Sequence, residues 1–203
     1  MNRRQIDTFF QVLSEQWDQE LGVLLTGAAA GTIWGQLRPS MDVDFGVQVR
    51  KSGKETWEKL EAAIERTVRL TGTQANYAED IDRWGLITLL DYKRHTHPYR
   101  RFGSLRVRLL DPAYWSIGKM TRYLDPDVRD MIQVFKRQKV PADRLARLWG
   151  RALKRSPRSA ALIQFRRQVD DFLRTYGPTI WGKKFDLGKT TRRFYREAGI
   201  TLS

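Results

Sequence analysis

The sequence predicts a mixed α/β (α+β) fold, in which a small mixed sheet flanked by helices is followed by a C-terminal helical region. Three observations predict it. Short apolar or alternating stretches, among them "GVLLT", "MDVDFGVQV" and "SLRVRLLD", have strand character and fall in the first half of the chain. Longer stretches with apolar residues at helical spacing lie between them. From Pro112 onward the pattern is helical throughout, and the stretches beginning "DPAYW", "DPDVR" and "SPRSA" each open with a capping residue followed at once by Pro.

Taken in order, Ile6, Phe9, Phe10, Val12, Leu13 and Trp17 sit mostly at helical spacing, which predicts an amphipathic helix over 2–20 that Gly22 ends. "GVLLT" reads as a short buried strand and "AAAGTIWGQL" as a short, tightly packed helix. In "MDVDFGVQV" alternation puts Asp42, Asp44 and Gly46 on one face and Val43, Phe45 and Val47 on the other. A second helix is expected over 53–70, then a weak strand at "TQANYA". "RWGLITLLDY" (83–92) and "SLRVRLLD" (104–111) are strand candidates, separated by a basic loop, "KRHTHPYRR" (93–101), that holds both histidines. No repeat is visible. No Gly/Ser-rich linker separates the halves, so residues 1–111 are expected to form an α/β core and 112–203 a basic helical region packed on it.

A chain of 203 residues suits one core domain, alone or with a helical appendage. Apolar residues make up 41% and charged residues 30%, no apolar run reaches the length of a membrane span, and the N-terminal stretch lacks the apolar core of a signal peptide. There is no cysteine, which excludes disulfides and thiolate metal sites and makes the cytoplasm the expected location. The net charge of +14 points to a polyanionic partner. Most of the excess lies in 93–101 and from Lys136 to Arg196.

Asp42 and Asp44 carry the chemistry. Two carboxylates at i and i+2 of a strand point the same way and repel unless a cation stands between them. Mg²⁺ accepts such a pair, keeping waters and phosphate oxygens as its other ligands. Just upstream, "TGAAAGT" follows a strand and opens a helix, where backbone amides and the positive helix end suit a phosphate.

Together these elements resemble the nucleotidyltransferase superfamily whose fold is shared with DNA polymerase beta. The pattern of apolar strand, small-residue turn, short helix and Asp-x-Asp strand is matched by Thr26, Gly27 and Ala28, the helix through Trp34, and "RPSMDVDF". The last is similar to the Arg-x-Thr-x-Asp-hydrophobic-Asp form of minimal and toxin–antitoxin-associated bacterial members. The family's second Gly or Ser is Ala28 here, so a phosphate-bonding hydroxyl is missing. A second segment, "LRVRLLDPAYWSIGKMTRYLDPDVRDMI", resembles the strand, Lys-bearing helix and Asp-x-x-Asp of such members, matched by Lys119, Asp127 and Asp130.

The resemblance implies a nucleotidyltransferase-type sheet and Mg²⁺-dependent transfer of a nucleoside monophosphate from an NTP to an acceptor hydroxyl. It makes Asp42 and Asp44 the catalytic metal ligands and calls for a third carboxylate on a neighbouring strand. Asp91, closing "GLITLLD", is the first choice and Asp111 the rival, although Asp111 also reads as a helix cap before Pro112. Thr26, Gly27, Ala28, Arg38, Ser40 and Lys119 are the implied nucleotide contacts. Lys119 reads equally as a solvated helix residue, and Asp127 as helix-start acidity.

His95 and His97 have the spacing of a zinc pair but lack a third ligand and are ringed by cations, so phosphate or solvent is their expected neighbour. Arg144, Arg147, Arg151, Lys154 and Arg155, in "RLARLWGRALKRSPR", form a candidate phosphate-tracking face for RNA, with tRNA the leading acceptor. A second reading keeps the fold without catalysis, as a nucleic-acid-binding protein or a toxin–antitoxin partner with a cognate antitoxin. Modification of cationic small molecules fits the net charge poorly.

Overall fold

The computed structural model describes residues 1–35, 39, 41–49 and 53–201. The chain divides into two compact units: Met1–Ile33, Arg38–Ile81 and Thr96–Leu110 in one, and Trp34–Leu37, Asp82–His95 and Asp111–Ser203 in the other. The mixed α and β composition expected from the sequence is what the structure has, with a C-terminal run of helices. Among the described residues no helix is long and apolar enough to cross a membrane.

The first unit is built on a five-stranded mixed sheet of order β3-β2-β1-β5-β4. Its strands are β1 (Leu21–Leu25), β2 (Asp42–Val49), β3 (Gln74–Ala78), β4 (Thr96–Phe102) and β5 (Leu105–Leu110). β1 lies at the centre, antiparallel to β2 and parallel to β5. One face is covered by helices α1 (Arg3–Gln16) and α3 (Lys54–Thr71). Phe45 is fully buried there, with the rings of Phe9, Phe10 and Tyr77 at 6.0, 5.6 and 5.9 Å. Burying each such aromatic contributes about 1.5–3 kcal/mol, which fixes the register of β2, because a one-residue slip would bring Asp42 and Asp44 into this core. The start of α1 is fixed by Asn2 and Gln5, which form a reciprocal capping box.

Two expectations are corrected here. Residues 83–92 are not a strand: they begin within a 3₁₀ turn at Ile81–Trp84 and run irregularly into another at Tyr92–Arg94. Their backbone donors are met by side chains instead of a ladder, Thr88 N donating to Ser156 Oγ at 2.9 Å and Leu89 N to Asp82 Oδ1 at 2.6 Å. Residues 96–102, expected within a loop, form β4 at the sheet edge. Pro98 is accommodated because an edge strand needs fewer donors and a register shift falls between Pro98 and Arg100.

The second unit is helical: α4 (Pro112–Arg122), α5 (Asp125–Gln138), α6 (Ala142–Arg155), α7 (Ala160–Trp181) and α8 (Leu187–Ala198). Phe135, Trp149, Phe165, Phe172 and Phe194 form its buried centre. α6 and α8 approach closely at Gly150, where a Cβ would meet Phe194 O at 2.6 Å and Glu197 Cβ at 2.7 Å. Segment 82–95 belongs to this unit, and the chain re-enters it at Asp111.

Candidate active site and basic cleft

Since Val43, Phe45 and Val47 are buried against the helices, alternation along β2 directs Asp42 and Asp44 to the opposite face of the sheet. There Asn76, which pairs with Asp44 in the β2–β3 register, bridges them. Its Nδ2 donates to Asp42 Oδ2 at 2.9 Å and to Asp44 Oδ1 at 3.0 Å. The two carboxylates therefore converge on one point, which an amide donor takes.

The turn before helix α2 (Gly27–Trp34) is fastened to the same residues. Thr26 N donates to Asp44 O at 2.9 Å, and Ala30 N to Thr26 O at 3.0 Å. Gly27 has φ +60°, and a Cβ there would lie 1.8 Å from Asp44 Oδ2. Position 27 thus needs glycine twice over, for its left-handed backbone and for the closeness of the carboxylate. The first turn of α2 consequently abuts Asp44.

Hard carboxylate oxygens meeting at one point suit Mg²⁺, which binds through one or two carboxylates and takes remaining ligands from water and phosphate. Asp42 and Asp44 are the residues that would hold it. Among the described residues no three His, Asp or Glu side chains gather as a metal site. Nor, among the described residues, does any other strand carry a carboxylate: in the register that places Asp44 beside Asn76, β5 presents Arg106 and Arg108 on the same face. Arg108 is held by Thr96, through its Oγ1 at 2.6 Å and its carbonyl at 2.9 Å.

The remaining expected contacts fare differently. Arg38 and Ser40 lie outside the described residues. Asp91 is exposed and precedes the 3₁₀ turn at Tyr92–Arg94, after Leu90 at φ 54°, so the strand expected to carry it is replaced by a turn in the second unit. Asp111 is 3% exposed and caps α4, accepting from Ala113 N and pairing with Arg144 at 2.9 Å.

Lys119 corrects the expectation of a phosphate-facing or solvated ammonium. It is 2% exposed, with Nζ at 2.9 Å from Asp127 and 2.8 Å from Asp130. A buried cation so paired is structural, and Arg122 adds a further bond to Asp127 at 2.8 Å. Burial alone would raise the Asp127 carboxyl, but the hydrogen bonds and charges of Arg122 and Lys119 outweigh it and hold the group below its ordinary value.

Compared with family models, curated proteins and solved structures, the chain matches none.

The basic residues of α6 do share a face. Arg147, Arg151, Lys154 and Arg155 are exposed, while Leu145, Leu148, Trp149 and Leu153 are buried on the other side. With α8 this face encloses a cleft of about 520 Å³ lined by His95, Tyr114, Arg144, Arg147, Arg151 and Arg193 among others. A second cleft of about 400 Å³ is lined by Arg151, Lys154, Arg155, Arg196 and Glu197. Arg147 and Arg193 both pair with Asp143, at 2.9 and 3.0 Å. His97 is on β4 of the first unit, in register with Leu109 of β5.

Sequence reasoning missed Asn76, although an Asn within a strand is unusual enough to mark it. It also missed Arg193 and Arg196, whose role follows from the α6–α8 contact and has no local signal.

Proposed function

We propose that the chain is a nucleotidyltransferase that moves a nucleoside monophosphate from an NTP to an acceptor hydroxyl on RNA, with pyrophosphate leaving. The observation that carries this reading is the fit of Gly27 against Asp44, which sets a helix start beside a strand-borne carboxylate pair. In it Asp42 and Asp44 hold Mg²⁺, and the amides at the start of α2 receive triphosphate oxygens. The metal, when bound, offsets charge developing on the transferred phosphoryl group. Asn76, donating to both, would orient the two carboxylates that hold the ion. The exposed cations of α6 supply an acceptor-binding face of the right sign.

Incubation with each labelled NTP, Mg²⁺ and total RNA tests this. Label should reach RNA with the native chain and fall at least a hundredfold with Asp42→Asn/Asp44→Asn. Equal labelling by both proteins would overturn it.

Asn76 also favours a second reading. An amide already bridging the carboxylates, with arginines rather than a third carboxylate on β5, suits a fold kept for binding alone, as a nucleic-acid-binding or toxin–antitoxin partner protein. Calorimetry with Mg²⁺ and each of the four NTPs separates the two, because only the first reading requires a Mg²⁺-dependent complex.

A further inference from the structure

The cleft between α6 and α8 contains more than charge. The His95 ring stacks on that of Tyr114, with centroids 4.3 Å apart and planes inclined by 13°. Tyr114 is 5% exposed whereas His95 is exposed, so one face of the imidazole is backed by a fixed ring and the residue still meets solvent. Around it the guanidinium groups differ. Arg144 is held by Asp111, and Arg193 by Asp143. Arg151, Lys154, Arg155 and Arg196 make no ion pair among the described residues. Arg151 and Glu197 line both clefts, so the unpaired cations continue from the aromatic pair along the C-terminal end of α6.

An aromatic face set among guanidinium groups has the two chemistries of a nucleotide, stacking for a base and charge-assisted bonds for phosphate. A duplex keeps its bases stacked inside and offers phosphates alone, and an acidic peptide offers carboxylates without a flat ring. The 14 residues of α6 run for about 21 Å at 1.5 Å per residue, room for roughly six nucleotides spaced as in one strand of a helix.

We propose that this cleft binds a single-stranded segment of nucleic acid, with a base stacked on His95 and successive phosphates on Arg151, Lys154 and Arg155. The binding chemistry does not depend on transfer at Asp42 and Asp44. Only the identification of the strand as an acceptor rests on that reading.

The test is the affinity of the full chain for fluorescent hexauridylate, the matching deoxy-oligomer, a duplex of equal length and polyglutamate, over a range of salt and without Mg²⁺ or NTP. Either single strand should bind more tightly than duplex or polyglutamate, and the ribo and deoxy arms say which sugar is preferred. His95→Ala should weaken single-strand binding about fivefold or more with its salt slope unchanged, and His95→Phe should restore it. Arg151→Gln/Lys154→Gln/Arg155→Gln should flatten the log–log salt slope by about two, from three lost phosphate contacts at roughly 0.7 each. Duplex or polyglutamate binding as tight as hexauridylate, or His95→Ala binding like the native chain, would overturn the proposal. Asp42→Asn/Asp44→Asn should bind the oligomer normally, and a native chain that binds the oligomer but labels RNA no more than this variant does isolates a failure of the transferase reading from a failure of this one.

Discussion

Gly27 and Asp44 leave no room for a side chain between them, since a Cβ on Gly27 would lie 1.8 Å from Asp44 Oδ2 and 2.7 Å from Asp44 Cβ. Gly27→Ala must therefore displace the carboxylate or the helix start, and it adds the left-handed backbone cost of about 1–2 kcal/mol. The expected outcome is a melting temperature lower by roughly 3–8 °C and Mg²⁺–NTP affinity reduced at least tenfold. Ala28→Gly, one residue on, should keep both close to native. Thermal melts and calorimetry on the two variants check this.

Asn76 neutralises the mutual repulsion of Asp42 and Asp44 by donating to both. Asn76→Asp replaces that donor with a third anion. Without divalent cations it should melt several degrees below the native chain at neutral pH, and Mg²⁺ should recover most of the loss. A melting temperature insensitive to Mg²⁺ would show that the three carboxylates do not converge on a cation.

Removing Lys119 would leave Asp127 and Asp130 facing one another in the interior of the helical unit. Lys119→Met should destabilise the chain by about 3–5 kcal/mol, and a denaturant titration measures it. The triad also sets an acid limit. The folded Asp127 carboxyl titrates below its ordinary value of 3.8, so its stabilising contribution is complete above that value and is lost as pH falls toward and through the lower folded value. Asp127→Asn should flatten the loss of stability on the acid side of pH 4.

Tyr99 joins β4 to α1, its hydroxyl donating to Asp7 Oδ1 at 2.6 Å and accepting from Arg3 Nε at 3.2 Å. Burial, with the bond to Asp7, pushes the phenol up from 10.0 to about 12 against the opposing pull of Arg3. A raised folded value means that the neutral phenol stabilises the fold below pH 10 and that this contribution fades as pH rises to about 12. Ultraviolet titrations of the native chain and of Tyr99→Phe should differ by a phenolate step near 12.

The legible parts of the sequence were those where one periodicity met one environment. In β2 the alternation of Val43, Phe45 and Val47 with Asp42 and Asp44 fixes strand, face and carboxylate pair together, and nothing distant overrides it. Helices α4 and α5 were legible from Pro in their first turns and α6 and α7 from long apolar stripes, but the Ser156-Pro157 pair expected to open the last of these ends α6 instead, and α7 begins at Ala160. Residues 83–92 misled because Ile87, Leu89 and Leu90 are apolar without forming a ladder; Ile87 is 1% exposed in irregular chain. β4 misled in the opposite direction, since Pro98 and exposed cations are what an edge strand tolerates and a loop also carries. Lys119 shows the remaining limit: its partners are 8 and 11 residues away, and only the α4–α5 turn reveals that it faces inward.

The central place of β1 has a consequence for synthesis. Its neighbour β2 emerges within about twenty residues, but its other neighbour β5 ends only at Leu110, after the chain has made segment 82–95, which belongs elsewhere. While the ribosome is still making that excursion, the apolar strand "LGVLL" has one bare edge, parallel pairing being all that will close it. Such an edge is where a nascent chain pairs with the wrong strand, and chains released before Leu110 should be captured by chaperones or aggregate, whereas those released after it have the full sheet.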